Sequence, residues 1–368
     1  MNAKPAASMD AAHETQPASA PEVVEELLRR AERAGASDVH IQTGPDGAAI
    51  SFRLDGLLTP VTQLPSDLAA RVVGRIKFLA RLKTYQDSLP QEGRIARELL
   101  GTTSDLRVAT YPTVTGEKIV LRLFQTGAAQ GLEELGFPEA AMRELKEFLR
   151  KNSGLLLLTG PAGSGKTTTI YACLRHLTES GNRHIITVED PVERLLPGVM
   201  QTEVHEALGL SFAEAARHLL RQDPEVLVIG EVRDEETAGI AVRAALTGHL
   251  VISTLHAGSC VGVLERLLVL CADRSAVAAV VELIFNQRLL RRLCAGCGGA
   301  GCDACLRSGY RGRVPAVEWL RVDEPMREAI RRHDLSGVAP ATSLAAAAHV
   351  LVRSGRTTLA ECQRVLGV

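Results

Sequence analysis

Nine consecutive residues hold the plainest chemistry in the chain: Gly160, Pro161, Ala162, Gly163, Ser164, Gly165, Lys166, Thr167 and Thr168. The first eight fit G-x-x-x-x-G-K-[ST]. Glycines at that spacing let backbone N–H groups converge on phosphate oxygens, and a helix opening behind them aims its positive end at the same anion. Lys166 adds a point charge for the β- and γ-phosphates, and Thr167 offers a hydroxyl to Mg²⁺. A nucleotide bound with Mg²⁺ is the ligand this set implies. Such a site also needs acids at the ends of neighbouring strands. Val226–Ile229 reads as a buried strand that ends in Gly230 and Glu231, and Ile185–Val188 as one that ends in Glu189 and Asp190. A carboxylate there holds the water shell of Mg²⁺ or polarises the attacking water. Either pair alone could merely cap the next helix; two such strands beside one phosphate loop point to the γ-phosphate. Glu231 and Glu189 are both candidates for the base. A third apolar strand, Leu250–Ser253, lies between His249 and His256. His256 falls on the edge expected to hold the acids, where a side chain titrating near neutrality suits a phosphate-sensing relay.

A second constellation lies further on. Cys294, Cys297, Cys302 and Cys305 form two CxxC pairs within twelve residues, with Gly296, Gly298, Gly299 and Gly301 between them. Each pair places two thiolates on one tetrahedral ion, so a structural Zn²⁺ is expected, with a redox pair or disulfides as the alternative. Four protein ligands close the shell, which leaves the ion no catalytic role.

These residues need two scaffolds. With 46% hydrophobic and 23% charged residues, the 368-residue chain has material for about two cores. Residues 1–20 are rich in Ala, Pro and Ser and read as a disordered tail. A helix is expected from Pro21 to Gly35. Residues 21–125 then read as a small α+β domain, with a hairpin signal at Asp55 and Gly56. A linker is expected at 126–136 and is assigned as a hinge. From 137 to 368, apolar strands alternate with helices, as in an α/β domain with a parallel sheet. That domain would hold the metal loop at 294–305 and short C-terminal helices at 323–366. A net charge of −1 and 3% aromatic residues argue against a nucleic-acid binder. No run approaches the ~20 apolar residues of a membrane span, and the N-terminus has no signal-like core; a cytoplasmic location is expected.

The motifs occur together and in an order that resembles the traffic ATPases of bacterial type II secretion and type IV pilus machines. The similarity covers roughly 21–366. It includes SDVHI at 37–41, RLDG at 53–56, PQEGR at 90–94, DLRV at 105–108 and GEKIVLR at 116–122. After the phosphate loop come ITVEDPVE at 186–193 (similar to the family's Asp box), LLRQDP at 219–224, GEVRD at 230–234 (similar to Walker B) and TGHLVISTLH at 247–256 (similar to the His box). The resemblance implies a RecA-like ATPase domain behind a PAS-like small domain. It implies hydrolysis of ATP by a homo-hexameric ring, peripheral to the inner membrane, that drives a platform protein. Arg107 and Arg122 of the small domain, with Arg217 and Arg221, align with the family's phosphate-sensing arginines. The given sequence is expected to lack the N-terminal docking domain usual in assembly members, while its four cysteines favour the secretion or assembly branch over retraction. A nucleotide-binding adaptor with little turnover and a DNA-uptake motor are the other readings.

Overall fold

The computed structural model describes residues 19–100, 102, 105–123, 130–181 and 183–367. Residues 1–18 of the expected tail, Phe124 of the last expected small-domain strand and residues 126–129 of the expected linker lie outside the described residues. The chain divides into two compact units, Met1–Gly127 and Ala128–Val368.

The first unit opens with helix α1 (Ala20–Ala34), where Val24, Leu27, Leu28 and Ala31 are buried at helical spacing and Gly35 closes the helix at φ 70°. Strands β1 (Asp38–Gly44), β2 (Gly47–Leu54) and β3 (Leu57–Leu64) precede helix α2 (Ser66–Leu79), and β4 (Gln91–Ile95), β5 (Leu106–Thr113) and β6 (Gly116–Leu123) follow it. The β2–β3 turn is made by Asp55 and Gly56 at φ 48° and 90°, the left-handed pair that a two-residue hairpin needs. The six described strands form one antiparallel sheet in the order β3-β2-β1-β6-β5-β4. Alternate residues such as Val39, Ile41, Ile50, Phe52, Val108, Ile119 and Leu121 are buried, the period expected of strands with one covered face. Lys77 and Glu117, both nearly inaccessible, pair at 2.7 Å inside this unit.

The second unit begins with α3 (Glu139–Leu149), β7 (Gly154–Thr159), α4 (Lys166–Ser180), β8 (Ile185–Glu189) and β9 (Val199–Glu203). It continues through α5 (Phe212–Leu219), β10 (Val226–Ile229), α6 (Glu235–Leu246), β11 (Leu250–Thr254), α7 (Cys260–Leu270) and α8 (Arg274–Val280). Two long strands, β12 (Val281–Leu293) and β13 (Tyr310–Arg321), precede α9 (Glu324–Arg332), α10 (Leu344–Arg353) and α11 (Leu359–Leu366). The sheet order is β13-β12-β7-β11-β10-β8-β9. Its neighbours are parallel except for the antiparallel β12–β13 pair. The leucines of β7 alternate between two cores. Leu155 and Leu157 pack with residues of α5 to α8, and Leu156 and Leu158 with residues of α3 and α4. A strand covered on both faces is why this segment is a continuous apolar run.

The expected α/β fold is present, but the sheet is mixed rather than purely parallel, and β12 and β13 were not anticipated. Asn286 and Gln287 are fully buried within β12. They interrupt the apolar pattern that would mark a strand; Asn286 donates to the Gly258 carbonyl and Gln287 to Thr169 Oγ1, while Gln287 Oε1 has no hydrogen-bond partner among the described residues. Among the described residues, no helix is long and apolar enough to cross a membrane.

Candidate active site

The parallel registers of β7, β11, β10 and β8 bring the carboxyl ends of these four strands to one edge. The phosphate loop follows β7. Gly160, Gly163 and Gly165 adopt φ of 137°, 74° and 96°, values that favour glycine. A Cβ on Gly160 would stand 2.5 Å from the Gln287 carbonyl oxygen and 2.6 Å from Ser164 Oγ, so no larger residue fits. Lys166 Nζ donates to the carbonyls of Gly160 (2.8 Å) and Pro161 (3.1 Å). Its pKa is lowered by burial; Glu231 opposes the shift and Arg288 adds to it. Ser164 Oγ is buried and has no hydrogen-bond partner. With Gly165 capping α4 and no acidic residue in its first turn, the loop suits an anion.

Glu231 leaves β10 through Gly230, where a Cβ would meet the Val188 carbonyl oxygen at 3.0 Å and the Phe212 ring at 3.1 Å. The glycine lets this turn approach the end of β8. The segment is fixed by Gly230 N–H to Val188 O (2.8 Å), Thr254 Oγ1 to Gly230 O (2.8 Å) and Val232 N–H to Thr254 O (2.8 Å). Glu231 accepts from Arg233 Nε at 2.9 Å and lies 3.1 Å from His256 Nε2. His256 is held in turn through its neighbours. Thr159 Oγ1 bonds both the N–H and the carbonyl of Ala257, and Asn286 donates to the Gly258 carbonyl. His249 is at the amino end of β11, where Nδ1 lies 2.8 Å from the Ala244 carbonyl; it belongs to the opposite edge.

Glu189 stands differently from Glu231. It is 7% exposed and its carboxylate accepts from Tyr171 Oη (2.5 Å), Thr187 Oγ1 (2.5 Å) and Gln201 Nε2 (3.0 Å). Burial first, then the bond to Glu189, pushes the Tyr171 hydroxyl far above its ordinary pKa, so it remains a donor. A carboxylate with three donors is well placed to tie α4, β8 and β9 together. Its neighbour Asp190 lies 3.8 Å from Arg233. Tyr171, Thr187, Gln201 and Arg233 were not singled out from the sequence, although Arg233 lies inside the quoted GEVRD run.

The four arginines divide between two environments. Arg53, Asp38, Arg122, Arg107 and Arg94 are direct cross-strand neighbours, one row over five strands of the small unit. Arg122 donates to Asp38 at 2.9 Å, Arg107 to Glu92 at 2.8 Å, and both are more than half exposed. Arg217 pairs with Glu214 and Glu236 across α5 and α6, and Arg221 is exposed just beyond α5. Within the second unit, neither Arg217 nor Arg221 is brought to the phosphate loop by a hydrogen bond or ion pair among the described residues.

Cys294, Cys297, Cys302 and Cys305 occupy the β12–β13 connection, and their Sγ atoms all lie within 4.8 Å of one another. The pairs 294–302, 297–305 and 302–305 are separated by 3.9, 3.8 and 3.8 Å. Thiolates ~2.3 Å from a tetrahedral ion stand about 3.8 Å apart, so the cluster fits a metal of that size. Burial opposes ionisation of Cys305, but N–H bonds from Cys302 and Gly309 bring its thiol below the usual range.

The chain matches the model of the "Type II/IV secretion system protein" family over residues 13–365. It is 40% identical to the type II secretion system protein HxcR of Pseudomonas aeruginosa, over 93% of this chain and 76% of that one. It is 36% identical to the type IV pilus assembly ATPase TfpB of Acinetobacter baylyi, over 84% of this chain and 57% of that one. The chain thus spans from just over half to about three quarters of these relatives' length. Among solved structures, the pilus retraction motor PilT with bound ADP aligns over 92% of this chain and 96% of that one, at a TM-score of 0.65 and 27% identity. Sequence and fold together make the chain a member of the type II/IV secretion system protein family.

Proposed function

We propose that the chain is a Mg²⁺-dependent ATP hydrolase that works as a homo-hexameric ring on an inner-membrane platform. There it powers assembly of a type II secretion pseudopilus or a type IV pilus. It is an enzyme of the cytoplasmic face, held to the membrane by its partners. The observation behind this reading is the shared carboxyl edge: phosphate loop, His256, Glu231 and Asp190 follow strands in parallel register. The RecA-like unit supplies this site, and the six-stranded unit is its PAS-like accessory domain.

Residues 160–168 hold the phosphates. Thr167 and, through water, Glu231 would hold Mg²⁺, which when bound neutralises phosphate charge. When nucleotide binds, Lys166 would exchange the Gly160 and Pro161 carbonyls for the β- and γ-phosphates. Glu231 orients the attacking water, since its carboxylate keeps lone pairs beyond those used by Arg233 and His256. Glu189, with its three donors, helps orient that water through the end of β8. His256 couples Glu231 to the γ-phosphate. Arg107, Arg122, Arg217 and Arg221 stabilise phosphoryl charge once exchanged from their carboxylate partners or supplied by a neighbouring subunit. The cysteine cluster takes Zn²⁺ as a structural ion.

The test is Lys166→Ala in the full chain. Loss of ATP turnover and a large drop in nucleotide affinity are expected. Turnover at the wild-type rate would refute the assignment.

A further inference from the structure

We propose that Arg233 is a positioning residue for Glu231, fixing the plane and place of its carboxylate between the ends of β10 and β8; this rests on the hydrolase reading above. Arg233 Nε donates to Glu231 Oε2 at 2.9 Å, while its terminal nitrogen lies 3.8 Å from Asp190 Oδ2. The guanidinium lies over the Phe212 ring, 5.6 Å from its centroid. One planar group thus addresses two acids from neighbouring strands and rests on an aromatic platform, an arrangement open to arginine and not to the compact ammonium of lysine.

The remaining contacts explain why this matters for Glu231. His256 faces the other oxygen, Oε1, at 3.1 Å. Arg233 is thus the side chain that donates a hydrogen bond to this carboxylate among the described residues, and it restricts rotation about the last bond, with His256 beside the other oxygen. Without Arg233, His256 alone faces the carboxylate, and Asp190 loses its ion-pair partner. The Glu231 backbone is already fixed by the Gly230 and Val232 bonds to β8 and β11. What Arg233 determines is therefore the last two torsions of the side chain, a displacement on the scale at which a misplaced catalytic group loses rate. Its hydrogen-bond and ion-pair partners are acids and none belongs to the phosphate loop, so nucleotide binding is separable from this effect.

The full chain with Arg233→Gln and Arg233→Lys tests this by steady-state hydrolysis, affinity for a fluorescent ADP analogue, and thermal melting. The expected result for Gln is a kcat lowered by about tenfold or more, with ADP affinity within about twofold and an unchanged melting temperature. The Lys variant, which keeps the charge and reaches one acid, should fall between Gln and wild type. The proposal is overturned if Arg233→Gln turns over within about twofold of wild type, or if its ADP affinity falls as far as its kcat. Lys166→Ala measured alongside separates the two claims. Unimpaired turnover there defeats the hydrolase assignment itself, whereas its loss with a normal Arg233→Gln defeats only the positioning role.

Discussion

Single residues at the carboxyl edge are constrained by approach distances as much as by chemistry. Gly160 has no room for a methyl group beside the Gln287 carbonyl and Ser164. Gly160→Ala should therefore abolish nucleotide binding while leaving most of the fold, a contrast that nucleotide titration and circular dichroism would reveal. The turn at 160–165 between β7 and α4 was legible in the sequence because it places glycines at fixed spacing between an apolar strand and a helix. Glu231 and His256 were legible because apolar strands of the right length precede them. The partners of Glu189 were not: Tyr171 and Gln201 are 18 and 12 residues away in sequence, and only the pairing of β8 with β9 and the packing of α4 bring them together. The sequence leaves open which of the two glutamates is the base, whereas the structure leaves Glu231 with open lone pairs and gives Glu189 three donors. Glu189→Gln is expected to lower the melting temperature as well as the rate, because a buried carboxylate with three donors is replaced; Glu231→Gln should lower the rate alone.

Among the elements, the β12–β13 pair is where sequence reading fell short. Its partners are distant in the chain: Glu361 of α11 accepts from Arg291 of β12 (2.8 and 2.9 Å) and from Arg364 (2.8 Å). Burial alone would raise the pKa of Glu361; the bonds from Arg364 and Arg291 instead hold its carboxyl down at about 2. A group depressed in the folded state stabilises fully above the unfolded carboxylate value of ~4.3 and loses that contribution as pH falls toward about 2. Between those values, wild type should lose stability more steeply with falling pH than Glu361→Gln, as urea titrations at several pH values would show. At neutral pH, Glu361→Gln leaves two arginines poorly paired and should cost about 3 kcal/mol. The cysteine cluster at the far end of this pair makes a separate prediction. Metal analysis should find about one zinc per chain, and Cys297→Ser should lose it, with local hydrogen exchange increased at 294–309 and ATP turnover kept within about twofold.

For the whole molecule, the sequence pattern changes between 21–125 and 137–368, and the chain divides into units Met1–Gly127 and Ala128–Val368. The small unit buries alternate residues of its strands, and the large one shows continuous apolar runs. Family membership follows from motifs in both. The work of the machine is the proposal. As a ring ATPase, the chain should reach hexameric mass with nucleotide, as light scattering would detect. Arg107→Ala and Arg122→Ala should reduce turnover without dissociating the P-loop ligand, although Arg122 also covers Asp38 and its loss should add a small stability cost. The most direct test of ATP hydrolysis at this site is phosphate release by the purified full chain with Mg²⁺-ATP, wild type against Glu231→Gln, with nucleotide binding followed in parallel. Wild-type turnover should fall about a hundredfold or more in the variant while ATP remains bound. A Glu231→Gln chain that hydrolyses ATP at the wild-type rate would contradict this role for Glu231.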